Sequence, residues 1–272
     1  MAPKLTVVGS VNLDLVARVE RLPRTGETIT AASFDRVPGG KGANQAVAAA
    51  RLGARVRFVG CVGRDPFADE ALAHLRALDL ELEVGVTETP TGTALIVVDA
   101  RGENHIVVAP GANAQLPHVA TRYKARGAAL CQLEIPDAAV EAVRREADWL
   151  CVNAAPARRL TVDPDLVVAN RYELDAIGRD APLVALTLGA DGAVLLEDGV
   201  EVARAGPPRV ETVDGTAAGD AFTACLVVSL LEGRNREEAL RRACAAGALA
   251  ASRFGAQPSL PTAHEVDAIL RP

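Results

Sequence analysis

Lysine is nearly missing from this chain. Lys4, Lys41 and Lys124 are the whole complement, and arginine carries the rest of the positive charge over 272 residues. Acidic residues outnumber basic ones by 35 to 29, a net charge of −6. That balance argues against nucleic acid or an anionic membrane as the main partner. It leaves room for an anionic small molecule, since one local amide-lined pocket is enough to bind one. No apolar run approaches the ~20 residues of a membrane span. There is no CxxC pair: Cys61, Cys131, Cys151, Cys225 and Cys244 lie scattered in apolar stretches. Disulfides and zinc are therefore disfavoured, and reduced, buried thiols in a cytoplasm are expected. No signal-peptide pattern precedes the strand-like "KLTVVGS". Internal repeats, low-complexity tracts and Pro/Ser linkers are also lacking, so residues 1–272 read as a single domain.

What is present is an alternation of short β-branched runs with amphipathic Ala/Leu/Arg segments. The runs Leu5–Val8, Val56–Val59, Ala129–Leu133, Trp149–Val152, Leu166–Ala169 and Val184–Leu188 are almost continuously apolar. Strands buried on both faces have that composition. Helices are predicted over Gly42–Leu52, Pro66–Leu78, Pro136–Ala147 and Arg171–Ile177, then Ala217–Glu232 and Arg236–Phe254. The order implies an α/β, doubly wound, mostly parallel sheet. Two segments break the rhythm: residues 11–37 alternate without helical period, and residues 93–109 form a hairpin around Asp99–Glu103. They read as a small antiparallel sheet over one end of the main one.

Five stretches carry candidate chemistry. In "GTAAGDAF", Gly215–Phe222, a helix begins nearly bare of side chains, with one carboxylate in its first turn. Open amides at a helix N-terminus bind anions. A carboxylate beside them suits a base that takes a proton from a hydroxyl attacking a phosphate. The alternative is a cap, with Asp214 or Thr216 as N-cap and Asp220 as a first-turn acid. "PGGKGANQAVAAA", Pro38–Ala50, is not a P-loop, but its backbone and amide groups could contact a polyhydroxy ligand. In "VVGSVNLDLV", Asn12 and Asp14 lie two apart, on one face if extended, where they could bracket sugar hydroxyls. "NRYE", Asn170–Glu173, follows a buried strand, where ligands of open α/β sheets bind; Asn170 could equally be an N-cap. "TLGADG", Thr187–Gly192, is a Gly-rich turn at another strand end.

The order of these stretches resembles the ribokinase family of the phosphofructokinase-B type sugar kinases. The resemblance runs from Val7 to about Ile269 and also takes in "GANA", "QLEIP", "VNAAPAR" and "GAQPSLP". It implies an ATP-dependent sugar kinase that phosphorylates ribose at O5, with Mg2+ accompanying ATP and K+ as activator. It also implies a β lid and a homodimer formed through that lid. Residue by residue, Asp220 matches the catalytic base, and Ala217, Ala218 and Gly219 the anion hole. Asn12, Asp14, Gly40, Lys41, Asn44 and Glu134 match sugar-binding positions. Asn170, Thr187, Gly189, Gly192 and Gly219 match nucleotide positions, and Glu173 the acid associated with Mg2+ and phosphate. Asp214, Thr216, Ala250, Arg253, Gly255 and Ser259 match a monovalent-cation site.

The departures from the family pattern cluster on the nucleotide side. Arg171 stands where an acid is usual, Ala190 and Asp191 replace polar and basic residues, and Ala154 replaces a proline. The family has a second helix before the TLG strand. Here Asn170 to Pro182 leave room for one helix of about two turns. Weak, poorly base-selective ATP binding with normal ribose binding is the expectation.

Overall fold

The computed structural model describes residues 2–116, 127–178 and 181–271. Its main sheet has nine strands: β1 (Lys4–Val8), β4 (Arg55–Gly63), β5 (Glu81–Thr87), β8 (Ala128–Gln132), β9 (Trp149–Asn153), β10 (Leu166–Asn170), β11 (Leu183–Thr187), β12 (Ala193–Glu197) and β13 (Val200–Ala205). They lie in the order β13-β12-β11-β10-β9-β8-β1-β4-β5. Every neighbouring pair from β11 to β5 is parallel, and only β11–β12 and β12–β13 are antiparallel. The sheet is buried on both sides. Leu5 and Val7 face one core with the helices Lys41–Arg51, Ala218–Leu231 and Arg236–Ala251, while Val8 faces the other with the helix Asp137–Glu146.

All six expected strands are present. β5 and β13 were not legible from the sequence, because each is half exposed and lacks the continuous apolar run of a central strand. β12 was not anticipated either, although residues 193–196 are an apolar run whose first three residues are buried. The expected helix Pro66–Leu78 is two pieces, Pro66–Ala71 and Ala73–Arg76, that meet at Leu72. The expected helix Arg236–Phe254 ends at Ala251. The carbonyl of Ala251 instead accepts the amides of Val213 and Asp214, at 2.8 and 3.1 Å, which ties this turn to the segment leading into Gly215. Between β10 and β11 stands the single short helix expected, Arg171–Ile177, closed by Gly178 in the left-handed conformation.

The second sheet covers the C-terminal ends of the parallel strands. It consists of β2 (Asn12–Arg18), β3 (Ser33–Gly39), β6 (Gly92–Val98) and β7 (Asn104–Ala109), in the order β3-β2-β6-β7. Its outer pairs, β3–β2 and β6–β7, are antiparallel, and β2 and β6 run parallel between them. Val16, Val37, Ala94 and Ile96 point toward the main sheet, while Phe34, Leu95 and Val107 stay exposed. At its far end, the Arg18 guanidinium lies 4.0 Å from the ring centroid of Phe254. Among the described residues no helix is long and apolar enough to cross a membrane. All five cysteines are buried and unpaired, as expected.

Candidate active site

A cavity of about 960 Å³ lies between the small sheet and the C-terminal ends of the parallel strands. Such strand ends are where open α/β sheets bind ligands. At its base the helix Ala218–Leu231 begins without any side-chain cap. Neither Asp214 nor Thr216 is the N-cap, a position held by Ala217, while Asp220 is a first-turn acid on either reading. Asp214 binds Thr216 and Gly255 instead: its Oδ1 accepts the Thr216 amide and hydroxyl at 2.9 and 2.6 Å, and its Oδ2 accepts the Gly255 amide at 3.0 Å. Ala217 sits at φ +59°, a left-handed backbone that costs a residue with a Cβ about 1 kcal/mol or more. Nothing stands within 4 Å of where a Cβ would project from Gly215 or Gly219, so the first-turn amides are open to a ligand.

Asp220 is the buried carboxylate of that first turn. Its Oδ2 accepts Asn44 Nδ2 at 2.9 Å and its Oδ1 accepts Gln45 Nε2 at 2.8 Å. Burial, the largest cause, raises its pKa; Lys41, Asn44 and Gln45 pull it back, and Glu134 adds to the rise.

The predicted sugar-binding residues converge beside it. Asn12, Asp14, Gly40, Lys41, Asn44 and Glu134 all line the cavity. They come from β2, from the start of the helix Lys41–Arg51, and from the segment after β8. Gly40 makes this possible: at φ +88° its backbone passes so close that a Cβ would sit 2.8 Å from the Asn12 amide. A Cβ on Gly39 would sit 2.3 Å from an oxygen of Asp14. Glu134 Oε2 accepts the Ser10 hydroxyl at 2.6 Å and the Lys41 amide at 3.0 Å. Asp14 is pushed up to about 7, first by burial, then by the charges of Glu134 and Asp220, with Lys41 opposing. Burial works to lower the pKa of Lys41, but Asp220, Glu134, Glu173 and Asp14 outweigh it, so the ammonium stays charged.

The nucleotide residues divide. Asn170, Glu173, Thr187 and Gly219 line the cavity; Gly189 and Gly192 do not. Gly192 has a packing role, since a Cβ there would sit 2.0 Å from the Ala205 carbonyl oxygen. Asn170 is an N-cap, as the alternative held, and forms a reciprocal capping box with Glu173 at 2.8 and 2.9 Å. Of the cation residues, Asp214, Thr216 and Gly255 line the cavity, while Ala250, Arg253 and Ser259 stand behind it. Arg253 donates to the Ser259 carbonyl at 3.5 Å and Ser259 to the Ala256 carbonyl at 2.7 Å.

Sequence reasoning missed Gln45, Gln132, Asn153 and Asn113. Asn113 pins β2 by accepting the Val11 amide at 2.9 Å and donating to Asn12 Oδ1 at 2.8 Å. The other three form a chain of amides under Asp220. A signal existed: Gln132 and Asn153 are polar residues that close otherwise apolar strands.

An uncapped helix N-terminus, a buried carboxylate beside it and a polar cavity under a β lid together define a kinase of the sugar-phosphorylating kind. The chain belongs to the pfkB family of carbohydrate kinases, whose profile matches residues 2–133 and 118–263. It is 38% identical to the ribokinase of Bacillus subtilis (strain 168) over 291 residues, covering 98% of this chain and 99% of that one. It is 34% identical to the ribokinase of Mus musculus, covering 96% of this chain and 92% of that one. Among solved structures, ribokinase from Thermotoga maritima superposes with a TM-score of 0.86 at 32% identity, over 98% of this chain and 99% of that one. Arabidopsis thaliana ribokinase, solved with ribose and ATP, gives 0.81 at 29% identity, over 100% of this chain and 99% of that one.

Proposed function

We propose that this protein transfers the γ-phosphoryl group of ATP to O5 of D-ribose, giving ribose 5-phosphate and ADP. The observation that carries the reading is Asp220: a buried carboxylate with two amide donors, at an uncapped helix N-terminus, facing a cavity lined by Asn12, Asp14, Asn44 and Glu134. Asn12, Asp14, Lys41, Asn44 and Glu134 hold the sugar hydroxyls, and Gly40 lets the backbone approach. Asp220 accepts the proton of the primary hydroxyl as its oxygen bonds to phosphorus. The bond from phosphorus to the β-phosphate oxygen breaks, and the amides of Ala217, Ala218 and Gly219 stabilise the charge on the transferring group. The lid excludes water, so that ATP is not hydrolysed.

Asn170, Glu173 and Thr187 border the nucleotide phosphates, with Gly189 and Gly192 shaping the turn beyond. Mg2+ would neutralise phosphate charge, held through its waters by Asn170 and Glu173, whose Oε1 is left over from the capping box. Asp214, Thr216, Ala250, Arg253, Gly255 and Ser259, several of them through backbone carbonyls, would offer the oxygen ligands that suit a large hard cation, K+. The exposed apolar face of the lid supports pairing of two subunits there. Five buried unpaired thiols support a cytoplasmic location.

The test is ADP release on ribose, 2-deoxyribose, fructose and adenosine. Ribose should give the highest kcat/KM. An equal or higher value on any of the others would overturn the assignment of substrate, and no phosphorylation of any would overturn the reading as a kinase.

A further inference from the structure

Gln45 is fully buried and lies outside the cavity lining, yet it touches the carboxylate at the cavity base. Its Nε2 donates to Asp220 Oδ1 at 2.8 Å and to Asn153 Oδ1 at 2.9 Å. Its Oε1 accepts Gln132 Nε2 at 2.7 Å. Asn153 is fixed in turn by donating to the Val168 carbonyl at 3.1 Å. Gln132 and Asn153 are register partners at the ends of β8 and β9, so the rigid sheet itself sets the position of this chain of amides. The orientation of Gln45 is over-determined. A flipped amide would face its oxygen to a carboxylate and to the Asn153 oxygen, and its NH2 to the Gln132 donor.

The two oxygens of Asp220 are thereby made different. Oδ1 is held from behind by Gln45, and Oδ2 faces Asn44, which lines the cavity. We infer that Gln45, oriented by Gln132 and Asn153, is a positioning residue for the general base: it fixes the Asp220 rotamer with Oδ2 toward the substrate and favours the ionised form. The inference rests on the reading of Asp220 as that base. A hydrogen bond to the charged form of a carboxylate lowers its pKa and opposes the effect of burial. Besides Gln45, the groups that act on Asp220 are Lys41, Asn44 and Glu134, with Asp14 coupled to it, and none of these is altered by a substitution at Gln45 itself.

The experiment compares Gln45→Leu, Gln132→Leu and Asp220→Asn in the full chain. Gln45→Leu should lower kcat about 10- to 100-fold, the scale of one charge-assisted hydrogen bond. The ribose KM should change less than about threefold, because Gln45 touches no substrate. The acid limb of the kcat–pH profile should move to higher pH. Gln132→Leu keeps the donor but frees its orientation, and should shift both quantities the same way by less. If Gln45→Leu melts in the assay range, Gln132→Leu alone decides. Turnover and acid limb unchanged in the folded variants, with only the melting temperature lowered, would reduce the network to packing and overturn the inference. If Asp220→Asn also keeps wild-type turnover, the base assignment itself falls. If only that variant is inactive, the base stands and the positioning role alone is lost.

Discussion

The two ends of the cavity hold their polar groups in different ways. At the end proposed to hold the sugar, Asn12, Asp14, Asn44 and Asp220 are buried, and their bonds join residues far apart in sequence: Asn44 to Asp220 spans 176 positions and Asn113 to Asn12 spans 101. At the end proposed to hold the nucleotide, Asn170 is exposed and Glu173 and Thr187 are half-buried. The bonds of Asn170 and Glu173 close over three positions, within one capping box. Most of this buried network is satisfied within the protein, Asn44 Oδ1 and Gln132 Oε1 excepted, so its geometry is in place when the ligand arrives. A local cap costs little to make and leaves its groups in water. The sugar end is thus preorganised by the fold, and the nucleotide end relies more on what the nucleotide brings with it. Substitutions at the first should be costly and specific, and those at the second mild.

The strongest way to break this contrast is Asp220→Asn. The amide keeps the shape and loses the base, so kcat should fall about 10²- to 10⁴-fold while ribose still binds. Calorimetric titration with ribose checks the second half. The same change removes a negative charge that helps hold Asp14 up, so the pH below which ribose binding weakens should drop. A variant retaining more than about a tenth of wild-type kcat would contradict the base assignment.

Asp14 comes next. Its carboxyl is pushed up to about 7, and in the proposed role only the ionised form would accept sugar hydroxyls at full strength. The kcat/KM for ribose reports the free enzyme, so it should fall as pH drops through about 7, and Asp14→Asn should abolish that limb. The variant should also raise the ribose KM by about 10- to 100-fold, the scale of a hydrogen bond to a charged group. For stability the sign is reversed. A carboxyl raised from 3.8 to about 7 on folding contributes stability in full below 3.8 and loses it as pH rises through about 7. At pH above that value the empty Asp14→Asn protein should melt higher than wild type. A lower melting temperature would show that burial of Asp14 is not the source of its shift.

Much of this contrast was legible in the sequence, and the part that was not has a physical cause. Central strands announce themselves because burial on both faces demands an unbroken apolar run, as in Val7–Val8 and Leu166–Ala169. Edge strands such as β5 make no such demand, and Glu81 and Glu83 there pair with Arg57 instead. The bare start of the helix at Ala218 was legible too, and the structure leaves it uncapped with open space beside Gly215 and Gly219. Asp14 and Asn12 were visible by their spacing. Gln132 and Asn153 were marked only as polar ends of apolar strands, and Gln45 not at all; that the three meet, across 87 and 108 positions, is encoded by no local pattern. The reading of Gly189 and Gly192 as ligand contacts came from resemblance alone; the fold assigns Gly192 to packing against Ala205.

A smaller effect is expected from the monovalent cation. Two bonds to the Ala251 carbonyl and one from the Gly255 amide already tie the anion-hole segment to the turn after the helix Arg236–Ala251. Burial raises the pKa of Asp214, but hydrogen bonds from Thr216 and Gly255 and the charge of Arg18 outweigh it and keep the carboxyl below the usual carboxylate range. The ion should therefore tune amide geometry that the protein largely sets. Rates should rise severalfold with K+, less with Na+, and least with a bulky organic cation. Equal rates in all three would sink the assignment of Asp214, Thr216, Ala250, Arg253, Gly255 and Ser259.

The mildest effects belong to the nucleotide end. Among its described residues the crossover from β10 to β11 carries one short helix, Arg171–Ile177, over the sheet's end. Fewer apolar contacts to the adenine should follow, and the KM values for ATP and GTP at saturating ribose should lie within about threefold of each other, worth less than about 1 kcal/mol. Asp191 is exposed in the turn Gly189–Asp191 and does not line the cavity. Its repulsion of the phosphates is therefore screened by water and salt, and Asp191→Asn should lower the ATP KM by less than about threefold at low salt and not at all at high salt. Ribose KM should be untouched by the change, because the rigid sugar end does not depend on this turn. A low-micromolar ATP KM with strong preference over GTP would show an intact adenine pocket, and the nucleotide end would then be as specifically built as the sugar end.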